Sequence, residues 1–123
     1  MSDDSRTARL DALVAGHVPV VASWSGPDAT VLTLHDFVRD GVAFVPVFSS
    51  ADEGRRQLRG SGFEDRVVGI DARMLAAMLA PEQVVVLDAA GADPLTLTGA
   101  DVQAAVARSG RPPLGSVVPE RVG

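Results

Sequence analysis

With 123 residues, no cysteine and a formal net charge of −5, the chain is expected to fold as one acidic domain without disulfides or thiolate metal sites. Hydrophobic residues make up 46% and charged residues 22% of the chain, a composition that excludes a wholly disordered protein. The negative charge argues against nucleic-acid binding, which needs a dense positive surface, and no apolar run approaches the roughly 20 residues that span a bilayer.

The first half of the chain predicts a helix, a hairpin and a central strand. A helix is expected near residues 4–15, because apolar residues recur at i, i+3, i+4 and i+7 in the stripe Leu10, Leu13, Val14 and His17. A Val-rich run at 18–24 and a second strand-like run at 30–34 flank a Ser-Gly-Pro-Asp turn and predict an antiparallel hairpin. The segment 42–48 is apolar on both faces, which is typical of a central strand, but Pro46 removes one donor and predicts a bulge or an unpaired side.

The second half alternates capped helices with short strands. Ser50 and Glu53 fit a capping box that begins a helix ending near Leu58. Asp71 and Thr98 are the predicted caps of two further helices. Short strands are predicted at 66–70, 84–87 and 95–97.

The resulting order of elements is α-β-β-β-α-β-α-β-β-α. It indicates a single α/β (α+β) domain in which helices pack on one mixed sheet of about 5–6 strands. The domain is assigned to residues 1–110, and the Pro-containing segment 111–123 is expected to be a flexible C-terminal tail.

Four segments of this order carry a family likeness: a helix running into a Val-Pro strand at 10–20, the Val-Pro-Val-Phe-Ser-Ser block at 45–50, a strand and helix at 67–79, and a strand, turn, strand and helix at 84–106. Together they resemble the N-terminal domain of the SseB family. Two departures are Ser49, where Thr is usual, and Asp88, where Asn is frequent. The resemblance implies a small bacterial domain without established catalytic residues, and many members of the family continue into a second domain.

Two aspartates offer the best chance of chemistry, because each follows an apolar strand. Asp71 and Asp88 end such strands, and ligands of α/β folds bind at the carboxyl ends of strands. Two carboxylates there could hold Mg²⁺ through oxygen ligands. The simpler interpretation is that Asp71 caps a helix and Asp88 starts a turn, so we predict no metal and no cofactor and keep both as weak ligand candidates.

Ser49 and Ser50 are candidates for a serine nucleophile. Such a nucleophile needs a base within hydrogen-bond reach. The two histidines are His17 and His35, and no Gly-x-Ser-x-Gly elbow surrounds either serine. Helix capping explains Ser50, so no catalytic residue is predicted and Ser49 remains a weak ligand candidate. His17, on the stripe of the first helix, is expected to pack rather than to bind a ligand.

Trp24 and three arginines form the candidate partner surface. Trp24 stands at the end of the predicted hairpin, where it either closes the core or anchors a partner. Arg55, Arg56 and Arg59 cluster on one helix, where they either form a solvated face or bind an acidic partner. An edge strand over 19–24 is the other candidate surface, because an open edge presents unpaired backbone groups.

We therefore expect a non-catalytic protein-interaction module that binds a protein partner or a second copy of itself. The polar, acidic N-terminus is not a signal peptide, which favours the cytoplasm, and the absence of Lys, Asn and Tyr, whose codons are AT-rich, favours a GC-rich bacterial source. Two alternatives stay open. One is a small ligand- or metal-binding enzyme-like domain that uses Asp71, Asp88 and Ser49, and the other is an immunity or accessory protein for a secreted effector.

Overall fold

The computed structural model describes residues 3–29 and 31–110, and the predicted tail at 111–123 lies outside them. The described residues form four α-helices and seven strands. The helices are α1 (Asp3–Leu13), α2 (Ala51–Gln57), α3 (Ala72–Met78) and α4 (Gly99–Arg108). The strands are β1 (His17–Ser25), β2 (Val31–Leu34), β3 (Phe37–Arg39), β4 (Val42–Val47), β5 (Val67–Asp71), β6 (Val84–Leu87) and β7 (Leu95–Thr98). None of these helices is both long and apolar enough to cross a membrane.

The strands form one mixed sheet with helices packed on it, as predicted. Its main order is β5-β1-β4-β6-β7; β4 and β6 are parallel, and the other pairs are antiparallel. Strand β3 was not predicted; it has three residues and pairs with the start of β4, while β2 pairs with the end of β1. The expected edge strand over 19–24 is wrong for residues 19–21, because they pair with β5 on one side and face β4 on the other.

Pro46 lies inside the central strand β4, and its missing N–H leaves no carbonyl oxygen of β1 without a hydrogen bond. Phe48 donates its backbone N–H to the carbonyl oxygen of Pro19 in β1 at 3.0 Å. Backbone groups two residues apart on a strand point to the same side, so the nitrogen of Pro46 also faces β1. The β1 carbonyl at that level belongs to Val21, and it accepts the N–H of His35 at 2.9 Å instead. The unpaired side predicted at Pro46 is therefore filled by the segment between β2 and β3.

The main core lies between the sheet and the three helices α1, α3 and α4. Its fully buried strand residues include Val20, Val47 and Val85, and Leu75 and Val102 meet them from the helices. A smaller cluster on the opposite face, where α2 packs, consists of Val21, Phe48, Leu58 and Val67. The short helix α2 covers only part of that face. The start of β4 remains uncovered, as the 52% exposure of Val42 shows.

Candidate functional site

The carboxyl ends of three strands lie together at one end of the sheet, the end at which these strands finish. Strands β5 and β4 are both antiparallel to β1, and β6 is parallel to β4, so all three run in the same direction. Asp71, Ser49 and Asp88 consequently lie at the same end, as the strand-end argument predicts. However, β1 and β4 separate β5 from β6, which places Asp71 and Asp88 three strand spacings or about 14 Å apart. One cation cannot bind both carboxylates.

Asp71 caps α3, as predicted. Its Oδ1 accepts the backbone N–H of Arg73 at 2.9 Å. The guanidinium of Arg73 also donates from Nε to Oδ1 and from Nη2 to Oδ2, each at 2.9 Å. This ion pair raises the pKa of Arg73 above its ordinary value. The Asp71 carboxylate is therefore engaged at both oxygens by the helix that it caps.

Asp88 starts the turn after β6, as predicted, in the left-handed conformation with φ of 53°. Its backbone carbonyl accepts the N–H of Gly91 at 2.8 Å. Its Oδ1 accepts two further hydrogen bonds, from the backbone N–H of Ser49 and from Nε2 of Gln57, each at 3.1 Å. The side chain thus connects the end of β6 to the end of β4 and to α2.

A crevice of about 240 Å³ opens beside these strand ends. It is lined by residues from α1 and from the ends of β1, β4 and β6: Arg9, Ala12, Leu13, His17, Pro19, Ser49, Leu87 and Asp88. Arg9 is held by Asp93, whose backbone oxygen and Oδ2 accept its guanidinium at 2.8 and 3.3 Å. The volume is below the roughly 300 Å³ at which small-molecule pockets usually begin. The crevice therefore fits a small ion or a fragment rather than a cofactor.

His17 is placed differently from the prediction. The stripe of apolar residues suggested that it packs on the first helix, but α1 ends at Leu13. His17 is instead the first residue of β1, and its side chain is exposed. The apolar stripe continued past the real helix end, which made His17 look like a core position.

Ser50 caps α2, as predicted. Its Oγ accepts the backbone N–H of Glu53 at 3.0 Å. The carboxylate of Glu53 accepts hydrogen bonds from Arg56 and Gln57, with Nε of Arg56 at 3.0 Å and Nε2 of Gln57 at 2.8 Å. These bonds, that of Arg56 first, lower the pKa of Glu53 to about 2. The serine thus holds the helix start, but the carboxylate of Glu53 binds along its own helix instead of returning to the backbone of Ser50. The predicted capping box is therefore only half formed.

A serine–histidine pair that the sequence did not predict lies between β1 and the end of β2. Oγ of Ser23 lies 2.7 Å from Nε2 of His35, and Nη1 of Arg66 donates to the same Oγ at 2.5 Å. His35 also packs its ring edge against Phe63, with centroids 5.6 Å apart. In the described part of the chain no group hydrogen-bonds the other nitrogen of His35, so the orienting third member of a catalytic triad is missing. The predicted hairpin was the available signal, since it brings these two residues to adjacent strands.

The candidate partner residues lie on two different faces. Trp24 is 53% exposed and stands opposite Leu32 in the β1–β2 pair. Because Val20 and Ala22 of β1 face α1, α3 and α4, the side chain of Trp24 points to that side as well. The arginines are on α2, which packs on the other face. The structure therefore does not unite Trp24, Arg55, Arg56 and Arg59 in one surface.

Two of the three arginines are occupied within their own helix. Nη1 of Arg55 donates to Asp52 at 2.9 Å, and Arg56 is bound to Glu53. These are i, i+3 ion pairs, as the solvated-face interpretation predicts. Arg59 follows α2 and is exposed.

Comparison with known proteins gives one family. A family model described as the SseB protein N-terminal domain matches residues 1–104, most of the chain. The chain belongs to the SseB family. No curated protein and no solved structure matches it significantly. In this SseB domain an Asn at position 88 would preserve the hydrogen bonds that the side chain of Asp88 accepts. An Asn offers the same Oδ1 acceptor and tolerates the left-handed conformation equally well.

Proposed function

We propose that this SseB-family domain is a non-catalytic, cytoplasmic protein-interaction module and that Trp24 anchors its partner. The observation that supports this most directly is the exposure of Trp24, at 53% the highest among the aromatic residues of the described chain. Tryptophan is the residue most enriched among those that dominate binding energy at protein interfaces. An exposed Trp on a surface strand has the chemistry that suits a docking anchor, which supports the proposal.

The hairpin holds this side chain in a defined position. Trp24 lies between two residues that also pair with β2, because Ser23 is opposite Thr33 and Ser25 is opposite Val31. A paired backbone loses little freedom when a partner binds, which favours affinity. Leu32, partly buried and directly opposite Trp24 on the neighbouring strand, extends the apolar surface beside the indole.

The groups that could perform chemistry are engaged in supporting the backbone. The carboxylate of Asp71 binds Arg73, that of Asp88 binds the N–H of Ser49, and each bond fixes the start or end of an element. A nucleophile must instead be activated by a base that is itself oriented by a further group. These contacts favour a scaffold role for the strand-end residues over a catalytic one.

Affinity capture from the native organism, analysed by mass spectrometry, tests the Trp24 surface. Wild-type protein is compared with Trp24→Ala and with the control Val38→Ala, which shortens a side chain that is 70% exposed on β3. Trp24→Ala should lose the captured partner, and Val38→Ala should retain it. Capture of the same proteins by all three variants would show that Trp24 is not the anchor.

The arginines are expected to contribute less than Trp24. Exposed ion pairs within a helix already satisfy Arg55 and Arg56, so a partner gains little from them. Arg59→Glu reverses the remaining charge of this cluster. It should leave the captured set unchanged, and loss of the partner in this variant would move the docking surface to α2.

The alternative function, binding of a small ligand, is favoured by one observation, the crevice at the strand ends. Arg9 and His17 offer donors there, and Ser49 is exposed at its wall. An NMR titration with Mg²⁺, inorganic phosphate and acetate tests this candidate. Shifts confined to the backbone amides of His17, Ser49 and Asp88 at millimolar ligand would support it, and unchanged amides would remove it.

A further inference from the structure

Strands β5 and β7, which end the main order of the sheet, differ in how their free edges are covered. On β7, Nη1 of Arg6 donates to the carbonyl oxygen of Thr96 at 2.8 Å, and the carboxylate of Asp101 accepts the N–H of Thr98 at 2.9 Å. Pro94 lies just before this strand and has no N–H to offer. These three features block the addition of another strand at β7.

The free edge of β5 has no such cover among the described residues. Its orientation follows from one hydrogen bond, in which Ala72 donates its N–H to the carbonyl oxygen of Gly16 at 3.1 Å. The pairing of Gly16 with Ala72 continues the register in which Val18 is opposite Ile70 and Val20 is opposite Val68. Even-numbered residues of β5 therefore face β1, and the backbone groups of the odd-numbered residues point away from it.

The odd-numbered residues of β5 are Val67, Gly69 and Asp71. They are symmetric about Gly69, which is exposed and has no side chain to shield the backbone. No strand in the described part of the chain pairs with them on the outer side. An uncovered edge of this kind is a template for another strand.

We propose that two copies of this domain pair antiparallel through β5, with the Gly69 residues of the two copies opposite each other. In this register Val67 of each copy is opposite Asp71 of the other, and the outward backbone groups of Gly69 pair with those of its copy. Val68 and Ile70 are also brought opposite each other, and their apolar side chains extend the main core across the junction. This proposal is independent of the role of Trp24.

A second copy fits this edge better than an unrelated strand for two reasons. Antiparallel pairing about Gly69 places the half-buried Val68 of each copy against Ile70 of the other, so the apolar side chains at this edge complement each other. In addition, pairing of β5 with its own copy uses the same edge on both copies, so it gives a closed two-fold dimer rather than a growing fibre. Apolar complementarity and closure both follow from the same register.

The dimer is expected to be weak, because a single pair of five-residue strands buries less surface than a stable interface. Sedimentation up to about 1 mM protein should therefore show a mass that rises with concentration from 12.7 kDa toward twice that value. A mass that stays at 12.7 kDa over this range would overturn the proposal.

A pair of charge variants tests the register. A Cβ at position 69 meets only the Cβ of His17 at 3.5 Å, an ordinary contact, so the domain accepts a side chain there. Gly69→Lys and Gly69→Glu each place like charges opposite each other, and each alone should weaken self-association several-fold. An equimolar mixture pairs Lys with Glu and should restore association at least to the wild-type level.

Matched controls separate this surface from others. Val38→Lys and Val38→Glu add the same charges at an exposed site on β3 and should leave the self-association of each variant at the wild-type level. Because the chain has no cysteine, Gly69→Cys provides a second measurement, a covalent dimer under mild oxidation. Variants at 69 that associate like wild type, or a mixture that shows no rescue, would place any dimer elsewhere.

Discussion

Asp88 accepts the backbone N–H of Ser49 through Oδ1 at 3.1 Å and so joins the end of β6 to the end of β4. These two residues are the ones that a strand-end argument selects as ligands. Their contact shows a different role, since the carboxylate replaces the next rung of a parallel pair where both strands turn away. The bond from Gln57 to the same oxygen adds α2 to this junction.

Replacing Asp88 by Ala removes both hydrogen bonds and leaves a left-handed residue without a favourable side chain. We expect Asp88→Ala to lower the free energy of unfolding by about 2 kcal/mol. Asp88→Asn keeps the acceptor and the conformational tolerance, so it should remain within about 0.5 kcal/mol of wild type. Urea unfolding followed by far-UV circular dichroism measures both. Equal losses in the two variants would mean that the negative charge itself matters.

Gly99 is the position where an added methyl group should do most harm. A Cβ there would stand 1.9 Å from the backbone oxygen of Ala80, which cannot move without shifting the chain before β6. Although Ala is the better helix former, Gly99→Ala should cost about 3 kcal/mol or more through overpacking. Gly16→Ala is the control, because no heavy atom lies within 4 Å of its Cβ. Similar melting temperatures for both variants would contradict the close approach.

Glu53 makes stability depend on acid. Its pKa is about 2 in the folded chain and 4.5 without the bonds from Arg56 and Gln57, so the folded state favours the ionised form. The contribution of Glu53 is complete above pH 4.5 and is lost as the pH falls from 4.5 to about 2. Comparison of urea midpoints for wild type and Glu53→Gln across this range measures it. The wild-type advantage should shrink with acid, and a constant difference would refute the assignment.

Most of the helices and strands could be predicted from the sequence, because helix caps and strand patterns depend on residues that are close together in the chain. Thr98 and Asp101 form the reciprocal capping box at the start of α4, and the predicted strand over 84–87 coincides with β6. The missing strand β3 has only three residues, and two of them are exposed, so it carries no burial pattern to detect. Its presence depends on the pairing with β4, which is a tertiary property.

The arrangement of the site could be predicted only in part. The position of Asp71 and Asp88 at the same end of the sheet follows from the direction of the strands, which is readable once both are recognised as strands. Their separation depends on β1 and β4 lying between them, and strand order is decided by pairings between segments distant in the sequence. The Ser23–His35 contact likewise requires the hairpin register, which the sequence left undetermined.

The exposure of Trp24 also determines what the intrinsic fluorescence of the protein can report. It is the sole tryptophan and there is no tyrosine, so nearly all intrinsic ultraviolet emission comes from the tip of one hairpin. A chromophore already in contact with water changes its spectrum little when the chain unfolds. Unfolding of the core beneath α1, α3 and α4 should therefore change the emission spectrum little. A bound partner that covers the indole should change it more.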